Sequence, residues 1–105
     1  MRSVTLSGRG WSARAVQAQT FIERLRGILG APQGVGVVLV TRSVHSFWQR
    51  HPLEVVGLDR GMRVVTTRTL PPKRIVVLPS AAMIVELPHG SPLPDLGDRL
   101  EITDA

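Results

Sequence analysis

Seven short segments, most of them rich in valine, isoleucine and threonine and bounded by glycine, proline or aspartate, constrain the fold of this chain more than any other feature. They are Val35 to Thr41, Val44 to Trp48, Leu53 to Leu58, Met62 to Leu70, Ile75 to Leu78, Met83 to Leu87 and Arg99 to Thr103. All are strand-length, and β-branched side chains suit a pleated, half-buried surface. Short strands at such even spacing predict a mainly β chain, a compact sandwich or barrel, rather than a parallel sheet served by crossover helices. Asp59-Arg60-Gly61 between two of the segments predicts a hairpin, with Gly61 free to take a positive φ. Arg99, Glu101 and Thr103 alternate with Leu100 and Ile102, the mark of a strand with one wet face. The unbroken apolar runs Val35 to Val40 and Ile75 to Leu78 predict deeper burial.

One segment reads as an α-helix, from about Phe21 to Leu29. Thr20 and Glu23 have the spacing of a capping box, in which hydroxyl and carboxylate reciprocally satisfy first-turn amides. Phe21, Leu25, Ile28 and Leu29 then form one apolar stripe, and Gly30 with Pro32 supplies the stop.

A length of 105 residues fits one domain spanning 1–105, large enough to bury a core without staples. Cysteine is absent, so disulfides, thiolate metal sites and thiol nucleophiles are excluded. No window has the apolar length of a signal peptide or membrane span, which predicts a soluble cytoplasmic protein with no membrane partner. The charge is uneven. Residues 1–94 carry 12 basic and 4 acidic groups, a net of +8, against +5 for the whole chain. Such a balance admits an anionic partner. Yet the arginines are scattered, Lys73-Arg74 is the only adjacent basic pair, and no nucleic-acid motif appears. Nucleic-acid association would therefore be weak and non-specific.

Val44 to Gly61 combines an aromatic pair at Phe47-Trp48, Pro52-Leu53 and the Asp-Arg-Gly turn. With Ala18, Thr20, Arg24 and Gly27 before it, and Pro72, Glu86-Leu87, Gly90 and Gly97-Asp98 after it, the order resembles the family known as domain of unknown function 192. The resemblance runs from Ala18 to Glu101 and implies a jelly-roll β-sandwich with the helix packed at one side. Gln49 stands where that family usually has methionine, Leu53-Glu54 where it has Leu-Asp, and Ile28-Leu29-Gly30 lacks its methionine. Any pocket those side chains line is altered in this chain.

The chemistry-bearing residues are few. His45 and His51 lie six residues apart, about 20 Å along an extended strand, too far for one metal ion without a sharp turn. His89 reads as a loop residue, so neither a metal nor a cofactor is expected. Ser43, Ser46, Ser80 and Ser91 lack a nucleophile elbow, and Gly8-Arg9-Gly10 lacks the helix and lysine of a phosphate loop. Glu86 is the only polar residue of its segment, so it must be protonated or paired, and Arg24 is the candidate partner. Trp48 is the candidate pocket wall beside His45 or His51, suited to stacking on a flat or sugar-like ligand.

Three function classes follow. The first is a small binding or interaction module, with Arg24, His45, Trp48, His51 and Glu86 as candidate binding residues. The second is an acid-base enzyme or carbohydrate-binding protein using Glu86, which lacks the second carboxylate such chemistry usually needs. The third is weak nucleic-acid association. Arg99 and Glu101 blunt an exposed edge, leaving monomer and homodimer both open.

Overall fold

The computed structural model describes residues 2–20, 23, 26–46 and 49–104. Among these described residues nine strands form two sheets: β1 (Arg2–Gly8), β2 (Trp11–Gln17), β3 (Gly36–Leu39), β4 (Ser43–His45), β5 (Leu53–Leu58), β6 (Val64–Leu70), β7 (Ile75–Val77), β8 (Met83–Pro88) and β9 (Glu101–Asp104). Seven build one sheet in the order β6-β5-β8-β3-β2-β1-β9, while β4 and β7 form a separate ribbon.

Alternation along the central strands creates two cores. Val37, Leu39, Leu53, Val55 and Ile84 belong to one cluster, and Val38, Val56, Leu58, Val85 and Leu87 to the other. This period of two sends neighbouring side chains to opposite faces. Each fully buried leucine, isoleucine or valine contributes roughly 1.5–3 kcal/mol from its removal from water. The first face is covered by the β4–β7 ribbon, through Val44 and Val76, and by Ile28, Ala31 and Val35. The second is enclosed by the sheet's own curl, with Val64 from one edge strand and Leu100 beside the other.

The predicted barrel is not formed. The segments just before edge strands β6 and β9 meet at an isolated bridge, Arg63 to Arg99, but the strands themselves do not pair, so the sheet curls but stays open. Nor is every neighbour antiparallel: β2 and β3 pair in parallel. Parallel neighbours need a crossover rather than a tight hairpin. Residues 18–35 are that crossover, and they carry the 3-10 turn Gly27–Gly30 onto the first face.

That turn also corrects the predicted helix. The capping box is present, with the Glu23 amide donating to Thr20 Oγ1 at 3.1 Å and the Gln19 amide to Glu23 Oε1 at 2.8 Å. Glu23 and Arg26 have helical conformation, but no α-helix stands as an element among the described residues, and Gly27–Gly30 is the tighter 3-10 form. Gly27 has φ +53°, in the left-handed region, so an α-helix cannot run on through it from Arg26 to Ile28. Phe21, Ile22, Arg24 and Leu25 lie outside the described residues.

The β5–β6 hairpin forms as expected, with a different residue bearing the strain. Met62, not Gly61, takes the positive φ, at 65°. Asp59 fixes the turn by accepting from the Gly61 and Arg63 amides at 2.8 and 3.0 Å. The depth expected of the Ile75 run is also wrong. Val76 faces the core while Ile75 and Val77 point outward.

Ser46 staples the ribbon to the β6–β7 connection. Its buried hydroxyl donates to Pro71 O at 2.6 Å and accepts from the Arg74 amide at 2.9 Å. Ser46→Ala leaves both groups without this partner and is expected to cost ~1–3 kcal/mol in denaturant unfolding. A change within experimental error would show that water replaces the hydroxyl.

Candidate functional site

The crossover and the strand register together build a groove at one end of the sheet. Strand β8 is antiparallel to both β3 and β5, so the starts of β3 and β5 meet the end of β8. Between them lies a groove of about 320 Å³. Ile28, Leu29, Pro32, Val35, Pro52 and Leu53 supply apolar wall, and Gln33, Gln49, His51 and His89 supply the polar groups. Leu29 is 52% exposed, an apolar side chain on the accessible side of the turn.

Glu86 stands directly behind this wall. On β8 it is paired with Val37 on one side and Val55 on the other, and only 2% of its surface is exposed. Its carboxylate meets the turn: a Cβ at Gly27 would collide with Oε1, and the Ile28 amide hydrogen-bonds the group. Burial raises its pKa to about 7, which the Ile28 bond only partly offsets. Glu86 is therefore poised between neutral and ionised forms near neutral pH, rather than held fully ionised.

Glu54, one strand away and facing the opposite side, is a contrasting case. Oε1 accepts from Thr69 Oγ1 at 2.6 Å, and Oε2 from the Gly90 amide at 2.8 Å, with His89 Nδ1 at 3.2 Å. Burial pushes its pKa up, but the bonds from Thr69 and Gly90 and the neighbouring His89 outweigh it and hold the carboxyl below its usual range. Both oxygens are thus engaged, and the effect is to fix the half-exposed His89 at the groove edge.

Of the residues expected from sequence to share a pocket, His51 lines the groove and Glu86 lies one layer behind it through Ile28. His45 does not line it; it sits on β4 opposite Ile75. Trp48 and Arg24 lie outside the described residues. Glu54 and His89 were missed as a pair because they are 35 positions apart and meet only through the β5–β8 register. Glu54 nevertheless carried the same signal as Glu86, a lone carboxylate inside an apolar strand. Among the described residues, no group of three histidines or carboxylates comes together that could hold a metal ion. None of their helices is long and apolar enough to cross a membrane.

No family model matches the chain. The UPF0127 protein of Pyrococcus horikoshii, however, is 31% identical over 102 residues, spanning 87% of this chain and 89% of that relative. The chain belongs to the UPF0127 family. A second UPF0127 protein, from Thermococcus sibiricus, is 33% identical over 93 residues, covering 79% of this chain and 60% of its own length. Two crystal structures share the UPF0127 chain's fold. A protein of unknown function from Novosphingobium aromaticivorans superposes with a TM-score of 0.68 at 14% identity, over 94% of this chain and 83% of its own. A candidate transcription regulator from Sinorhizobium meliloti reaches 0.70 at 21% identity, over 95% and 92%.

Proposed function

We propose that this UPF0127 chain is a small ligand-binding module whose site is the groove between the 3-10 turn and the His51–His89 edge. The supporting observation is the convergence of apolar wall and two imidazoles on one concave surface of about 320 Å³. Sites for small molecules are typically concave and mostly apolar, with a few placed polar groups that set orientation. Here the glutamines and histidines are the polar groups, and the walls are aliphatic and proline side chains. The ligand chemistry that fits is a compact ring with hydrogen-bonding groups on its rim, a sugar or a heteroaromatic. Trp48, next to Gln49 in the chain, belongs to the same proposal as a stacking surface. The resemblance to domain of unknown function 192 is part of this reading too, carried by the Pro52-Leu53, Asp59–Gly61 and Glu86-Leu87 motifs.

Binding is favoured over acid-base catalysis because neither carboxylate is presented to the groove as a free base. Glu54 has both oxygens engaged, and Glu86 is shielded by the turn. A general base must come within hydrogen-bond reach of the proton it takes.

Titrating the labelled protein with monosaccharides, disaccharides and simple heteroaromatics, followed by amide chemical shifts, tests the proposal. Shifts confined to Leu29, Gln33, Gly34, His51 and His89 are expected for at least one class. Shifts scattered over the second face, or none from any class, would overturn it.

A further inference from the structure

We propose a second site at the opposite end of the same strands, an anion-binding cleft for an amphipathic carboxylate, with Arg42 and Arg60 as the charge and Val40, Met62 and Met83 as the apolar bed. The strand directions place it there. Val40 to Arg42 follow β3, Asp59 to Met62 follow β5, and Ala82-Met83 open β8. Six strand residues at about 3.3 Å each set it roughly 20 Å from the histidine groove.

Two contiguous clefts, of about 470 and 360 Å³, share Arg42, Asp59, Arg60 and Ala82. Both arginines are exposed, and neither guanidinium has a hydrogen bond or ion pair among the described residues. Arg63, by contrast, is used, donating to Gly97 O at 3.3 Å. Asp59 lines both clefts as well and offsets one of the two charges, leaving the cleft cationic by one. Its Oδ1 is taken by the Gly61 and Arg63 amides, so it also organises the turn.

The apolar half is as unusual as the charged half. Val40 is 59% exposed, although most valines of this chain's central strands are buried. Met62 lines the cleft from a left-handed backbone conformation, φ 65°, where glycine would be the unstrained choice. Such strain persists where surrounding structure enforces it and clusters at functional sites. Methionine side chains also adapt to irregular apolar ligands. Planar guanidinium groups match carboxylate oxygens two at a time. A ligand with an acyl tail and a carboxylate satisfies both halves, whereas a purely inorganic anion would leave the bed uncovered.

The probe is octanoate, with acetate and octanol as controls that keep only the charge or only the tail. Octanoate is expected to shift the Val40, Met62 and Met83 methyl resonances, and each control to bind at least about tenfold more weakly. An Arg42→Gln/Arg60→Gln double variant should lose about tenfold or more in octanoate affinity while keeping its amide spectrum elsewhere. Because both side chains are exposed, this variant should fold. An Arg42→Lys/Arg60→Lys variant should recover part of the loss. Octanol binding as well as octanoate, a double variant binding as well as the parent, or shifts at Leu29 and His89 in place of Met62 would each overturn the second site. Sugar or heteroaromatic binding in the histidine groove is read from its own titration, so the failure of either site is distinguishable from the failure of the other.

Discussion

Folding stability is expected to fall by ~3 kcal/mol as pH rises from about 4.5 to about 7, and Glu86→Gln to abolish most of that fall. The sign follows from which state holds the proton more tightly. Glu86 has its ordinary value of 4.5 when unfolded and about 7 when folded, because burial disfavours the charge. Its contribution is therefore fully present below 4.5, declines through the interval, and is gone above about 7. Glu54 works in the other direction. Its folded pKa is depressed, so its contribution is present above 4.5 and is lost only as pH falls through the folded value. The two windows do not overlap, and denaturant unfolding across pH 4.5 to 8 isolates Glu86. A Glu86→Gln variant with the same slope as the parent would assign the effect to other groups.

Gly27→Ala should destabilise the fold by ~2–4 kcal/mol, with two separable causes. An L side chain at φ +53° costs about 1–2 kcal/mol by itself. The rest comes from the new Cβ displacing the buried Glu86 carboxylate from its place against the turn. In a Glu86→Ala background the collision disappears and only the backbone term remains. A double-mutant cycle should thus show the two residues coupled by ~1 kcal/mol or more. Strict additivity would mean that the turn does not rest on Glu86.

These two residues show what was legible in the sequence and what was not. Glu86 announced itself as one carboxylate in an apolar strand, and the strands from β3 onward announced themselves by β-branched composition. The β1–β2 hairpin did not. Val4 and Leu6 alternate and are fully buried, and Gly10 takes φ +68° in the turn, but serine, threonine, arginine and alanine dilute the pattern across both strands. The helix was over-read because a genuine capping box precedes a genuine apolar stripe, and the period of 3.6 carries no warning that Gly27 is left-handed. The residue that Gly27 meets there is Glu86, 59 positions away. Ile75 and Val77 were assigned inward because an unbroken apolar run does not reveal which face a two-stranded ribbon buries. The groove shares this origin: His89 is fixed by Glu54 through strand register, which local patterns do not encode.

The central claim is that the wall of the groove, the 3-10 turn, is seated on a buried carboxyl whose partner among the described residues is the Ile28 amide. Following the Glu86 side-chain carboxyl by carbon NMR across pH tests this most directly. The account predicts a midpoint near 7, with the Ile28 amide resonance moving at the same pH. A midpoint at or below 4.5, as an ion pair with Arg24 would give, would contradict it.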